Sequence, residues 1–224
     1  MDKRVVITGM GAITPIGNDV NTFWNSAKEG KLGIDYITII DKDSVEVKIA
    51  GEVKNFNPEA IIGKKECKRL DRFEQFGLVA AHEAIENSGL DLEKEDLERI
   101  GVIVGSGIGG LQSIETECVK LESGSKRVSP FFIPMAIINL VAGNIAIKYG
   151  FKGPCTSVVT ACATGTNSIG DSFRMIKHGY ADIMIAGGSE APITRIGMGG
   201  FNGMKALNPN TPNTCLLYTS PSPR

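Results

Sequence analysis

The chain has 224 residues, 42% hydrophobic and 22% charged, with 24 Lys and Arg against 25 Asp and Glu. That balance gives no bulk electrostatic case for a nucleic-acid partner, so docking by charge must be local. No apolar run reaches membrane-spanning length, and the five cysteines, an odd number without a Cys-x-x-Cys pair, suggest neither a disulfide framework nor a metal site; a soluble protein of a reducing cytoplasm, without cofactor, is expected.

Val5 to Thr8 reads as a buried first strand ending at Gly9-Met10-Gly11, and Asn18 or Asp19 can cap a short helix holding Phe23, Trp24 and Ala27. Val45, Val47 and Ile49 alternate with charged residues, the period of a half-exposed strand. From Phe73, the residues Phe76, Gly77, Ala80, Ala81 and Ala84 form one apolar stripe on a helix that Gly89 can end, and this helix is expected to pack against a sheet.

Ile100 to Val104 is continuously apolar and predicts a central strand covered on both faces. After a Gly/Ser/Lys-rich connection at 123–127, the apolar stretch from Phe131 to Ile147 contains breaks, and Pro154 to Thr160 reads as another strand. A helix from about Ala163 to His178 and a buried strand, Ile183 to Ala186, follow, so strand, helix and strand predict an α/β fold with largely parallel pairing. Beyond Leu207 the composition turns to Asn, Pro, Ser and Thr without periodicity, and 208–224 is expected to be a disordered or non-native tail.

Two glycine-rich signals carry chemistry. Gly105-Ser106-Gly107-Ile108-Gly109-Gly110 satisfies G-x-G-x-x-G after a strand, the pattern of dinucleotide binding. The acidic residue that should end the next strand has only Glu122 to fill it, in a segment without strand character; tight packing of the turn is the better reading. Cys162 lies between an apolar strand and a helix that begins Ala163-Thr164-Gly165-Thr166. Unpaired N–H groups at a helix N-terminus favour thiolate over thiol and can hold the oxygen of a tetrahedral intermediate.

Val159-Thr160-Ala161-Cys162-Ala163-Thr164-Gly165 resembles the nucleophile motif of β-ketoacyl-acyl carrier protein synthases, particularly the type II elongating enzymes. The segments 4–11 and 14–17, the loop 105–110, Pro130 to Pro134 and Ala186 to Glu190 resemble further signatures of that family in the same order, so the likeness covers about 3–207. It implies the N-terminal half of a duplicated, layered thiolase-like fold, and decarboxylative condensation of malonyl carrier protein with an acyl group held on Cys162. It also implies Ile108 and Phe201 at the acyl pocket, with Phe132 and Ile133 of a partner subunit closing it in a homodimer. Acidic acyl carrier protein would dock on Lys65, Lys68, Arg69, Lys126, Arg127 and Lys205. The family's two catalytic histidine motifs have no counterpart here, since the two histidines, His82 and His178, do not match them. A truncated chain, inactive alone, is therefore expected; the competing expectation is a non-catalytic half-domain that binds carrier protein or a partner subunit.

Overall fold

The computed structural model describes residues 4–208. In chain order the elements are α1 (Val20–Lys28), β1 (Ile34–Tyr36), β2 (Ile49–Gly51), α2 (Glu59–Ile62), α3 (Lys64–Cys67), α4 (Arg72–Ser88), β3 (Ile100–Gly105), α5 (Leu111–Glu122), α6 (Phe132–Ala136), α7 (Leu140–Tyr149), β4 (Cys155–Thr156), α8 (Thr164–Lys177), β5 (Ile183–Gly188) and α9 (Arg195–Gly203). They divide into two compact units, 4–13 with 57–191 and 14–56 with 192–208. Except for Asn208, the expected tail lies outside the described residues.

The larger unit is built on a three-stranded parallel sheet in the order β4-β3-β5. Every residue of β3 is buried, so both faces are covered, and α7 and α8 are among the helices that touch it. Burial of Ile100, Val102 and Ile103 stabilises the fold by roughly 2 kcal/mol each. Arg99, just ahead of β3, pairs with Asp182 (2.9 Å) and donates to the carbonyl of Gly179 (2.8 Å), clamping the starts of β3 and β5 together.

In the larger unit three expectations change. Val5 to Thr8 forms no strand: Val6 and Ile7 are exposed, and the segment that follows lies along α4, where Ala12 N–H donates to Glu83 and Asn87 donates to the Met10 carbonyl. The strand before Cys162 shortens to Cys155–Thr156, and beyond it Ser157 Oγ, rather than a ladder N–H, donates to Val104 O. β5 occupies a sheet edge and is half-buried, not buried. Helix α4 ends at Gly89 in the left-handed conformation (φ 69°), as expected, and its helical neighbours include α7, which touches β3.

The smaller unit pairs β1 with β2 antiparallel over a core of Ile37, Val47, Ile49 and Met198, with α1 capped by Asp19 and α9 by Thr194. The period-two reading of 45–49 holds in burial, with Val47 and Ile49 inward and Lys48 outward, but the strand itself begins only at Ile49. Buried Glu52 accepts from the N–H of Thr38 (3.0 Å) and Ile39 (2.7 Å).

One polar cluster crosses the larger unit's core. Asp71 caps α4 and accepts from the N–H and Oγ of Ser113 on α5 (2.9 and 2.6 Å). Glu74 completes the capping box by accepting from Asp71 N–H (2.7 Å), and also accepts from Asn144 on α7 (3.0 Å). Burial, reinforced by the Asp71 charge, pushes the Glu74 carboxyl up to about 8 from its ordinary 4.5, against the lowering effect of these hydrogen bonds. The folded chain thus binds a proton that the unfolded chain releases above about 4.5, so this group's contribution falls as pH rises from 4.5 towards 8. Relative to a Glu74→Gln variant, the natural chain is expected to lose stability across that window, with a slope of at most about 1.4 kcal/mol per pH unit. Urea midpoints at intervals from pH 5 to 8 check this, and parallel curves for the two proteins would refute it.

Candidate active site

Cys162 is exposed and sits in a single 3₁₀ turn, Ala161–Ala163, directly ahead of α8. The preceding residue, Ala161, has φ +50°, a left-handed conformation that costs a residue with a Cβ on the order of 1 kcal/mol. Local hydrogen bonds hold it there. Thr160 N–H donates to Thr164 Oγ1 (3.0 Å), Thr160 Oγ1 donates to Asn167 Oδ1 (2.8 Å), and Ala163 N–H donates to Thr160 O (3.0 Å). Helix α8 starts without a side-chain cap, so its first-turn N–H groups are not taken by a side chain at that position. A nucleophile raised on a strained turn at an uncapped helix start is an arrangement suited to attack on a carbonyl carbon.

The loop 105–110 lies against this turn. A Cβ on Gly105 would come 2.1 Å from Val158 O, and one on Gly110 would come 1.9 Å from Met135 O; both positions exclude any side chain. Packing therefore explains these glycines. The loop's Gly107 and Ile108 N–H groups both donate to Glu190 Oε2 (2.7 and 3.1 Å), while Ser106 Oγ donates to Oε1 (2.8 Å). An internal carboxylate occupies the place that a phosphate would need.

Ile108, on this loop, is 37% exposed. Phe132 opens α6 and lines a surface groove together with Lys68, Asp71, Ser113 and Glu117, and Ile133 beside it is exposed. Arg69 stacks over the Phe131 ring at 4.8 Å and pairs with Glu66, so the basic run and the 131–133 segment meet. Lys65, Lys68, Lys126 and Arg127 are exposed on the same unit. Phe201, half-buried on α9, and Lys205, exposed with φ +55°, belong to the smaller unit.

The other described cysteines lack this setting. Cys67 is half-buried, and burial together with the Glu59 charge pushes its thiol up. Cys118 lies on α5, and Cys155 falls in β4 itself rather than ahead of it. His82 Nδ1 lies 2.8 Å from Tyr149 OH in a ring stack, and His178 follows the last residue of α8; both have structural settings. Among the described residues no group of three or more His, Cys, Asp or Glu is placed to hold a metal ion, and no helix is long and apolar enough to cross a membrane. Glu190 escaped the reading of the sequence as a functional residue; its presence in the Ala186 to Glu190 signature was the available signal.

The family model described as beta-ketoacyl synthase, N-terminal domain, matches residues 2–219. The chain is 52% identical over 210 residues to 3-oxoacyl-[acyl-carrier-protein] synthase 2 of Staphylococcus aureus (strain COL), covering 93% of this chain and 51% of that protein. Among solved structures, the ishigamide ketosynthase/chain length factor superposes with a TM-score of 0.85 at 28% identity, over 94% of this chain and 53% of that one. A type II PKS acyl-carrier protein in complex with its ketosynthase bound to the hexaketide gives 0.75 at 28% identity, over 91% and 55%. The chain spans about half the length of the curated relatives it matches. With a parallel sheet, a glycine loop and a cysteine turn arranged as above, the chain belongs to the β-ketoacyl synthase family and has the fold of that family's thiolase-like N-terminal domain.

Proposed function

We propose that this chain supplies the acyl-holding half of a β-ketoacyl-acyl carrier protein synthase, with Cys162 as the nucleophile. The observation that carries the reading is the exposed Cys162 on its strained turn at the head of α8, packed beside the loop that bears Ile108. The Cys162 sulfur attacks the carbonyl carbon of an acyl thioester, the carrier's thiol leaves with a proton, and the acyl group remains as a thioester on Cys162. Covalent storage lets one carrier protein leave before the next arrives. Malonyl carrier protein then loses carbon dioxide, and the resulting carbanion attacks the stored acyl carbonyl and expels the Cys162 thiolate. Ile108 borders the acyl chain, and Phe132 and Ile133 close the pocket of the other subunit in a homodimer.

Carrier protein docks on the basic surface of Lys65, Lys68 and Arg69, with Lys126 and Arg127 contributing. The ketosynthase complexed with an acyl-carrier protein supports a partner of this kind. Exposed charges act within a Debye length of about 8 Å at physiological ionic strength. Replacing Lys65, Lys68 and Arg69 together by Glu is expected to weaken carrier binding about tenfold at low salt, with less effect in high salt. Titration calorimetry measures this, and equal affinities at low salt would remove these residues from the docking surface.

Decarboxylation requires donors for the developing enolate, each worth on the order of 3 kcal/mol, or a hundredfold or more in rate. The family draws two histidines for this from a second half; of the two here, His82 faces Tyr149 and His178 follows the last residue of α8. Carbon dioxide release from malonyl carrier protein is therefore expected to be negligible for residues 1–224 alone, and restored when residues 1–207 continue into a complete second half. Comparable rates from the two proteins would overturn this division of labour.

A further inference from the structure

Glu190 stands two residues beyond β5, and its carboxylate gathers three donors from three consecutive residues more than eighty positions away in sequence. Ser106 is 1% exposed, and its Oγ also accepts from Gly109 N–H (3.0 Å), so the hydroxyl is committed at both ends. The space beside the loop is equally constrained. A Cβ on Gly107 would stand 2.8 Å from Glu190 Oε2 and 3.4 Å from Ala161 Cα, so the loop abuts both the carboxylate and the turn that carries Cys162.

The requirement is for a carboxylate in particular. Its two oxygens only accept, and hydrogen bonds to an ionised acceptor are roughly twice as strong as neutral ones. Glutamine could still accept from the Gly107 and Ile108 N–H groups, but its NH₂ would face a Ser106 hydroxyl that now lacks an acceptor for its own proton. Alanine would leave all three donors without a partner.

We propose that Glu190 is a positioning residue for acyl transfer: it latches the 105–110 loop against the Ala161–Ala163 turn, holds Ile108 there, and so sets which acyl chain lengths reach Cys162. The inference rests on the reading of Cys162 as acyl acceptor. Nothing about Glu190 requires it to touch the reacting atoms.

The test uses the whole chain with Glu190→Ala and Glu190→Gln variants. Hydrogen–deuterium exchange follows the amides of 106–110 against those of β3, and mass spectrometry follows Cys162 modification by N-methyl and N-octyl iodoacetamide. In Glu190→Ala the loop amides are expected to exchange about tenfold faster while β3 stays protected, as the loss of charge-assisted hydrogen bonds predicts. The octyl-to-methyl rate ratio at Cys162 should shift about threefold or more, with Glu190→Gln intermediate. If Glu190→Ala loses β3 protection, the shift in Glu190→Gln alone decides. An unchanged ratio at a reactive Cys162, or unchanged loop exchange, overturns the latch while leaving the acyl-acceptor reading intact; a folded natural chain whose Cys162 reacts with neither reagent overturns both.

Discussion

The parallel register of β3 with β4 and β5 is the constraint on which the candidate site depends. In a parallel sheet the segments that leave the C-terminal ends of neighbouring strands emerge at one edge, where residues distant in sequence meet. Here β3 delivers the 105–110 loop, β4 leads to the turn of Cys162, and β5 leads to Glu190. Gly105 faces Val158 O with no side chain between them, so the loop and the segment leading to Cys162 pack closely. The complete burial of β3 holds this edge in place, since sliding the strand by one residue would exchange the surroundings of every side chain along it.

The same edge explains why a glycine pattern shared with dinucleotide-binding proteins performs another task here. A phosphate site offers N–H groups that the protein leaves free. The Gly107 and Ile108 N–H groups are instead satisfied by Glu190, so an anion from solution would have to displace a tethered carboxylate. The chemistry is carried a few residues away, at Cys162, and the loop shapes its neighbourhood.

Legibility in the sequence followed the range of the interactions involved. Helix α4, strand β3 and helix α8 were readable because periodicity and end signals such as Gly89 are local. The place of Cys162 directly ahead of a helix was readable for the same reason. Val5 to Thr8 was misread because apolar residues indicate a need for cover without saying what supplies it, and here the segment makes no ladder. The stretch up to Thr160 was read as too long a strand because β-branched residues also suit the extended approach to a turn. Glu190 and the contacts of Asp71 with Ser113 and of Glu74 with Asn144 could not be read from spacing, because those partners lie on other elements.

Acyl transfer to Cys162 is the central chemical claim, and it can be observed without the second stage of the reaction. Purified chain, shown to be folded by protection of β3, is incubated with acyl carrier protein bearing a radiolabelled acyl thioester, then digested and mapped. The account predicts label on the peptide containing Cys162, released by neutral hydroxylamine as a thioester would be, and absent from a Cys162→Ser variant treated in the same way. Label retained in that variant, or carried by the Cys67 or Cys118 peptide of the natural chain in place of Cys162, would contradict it.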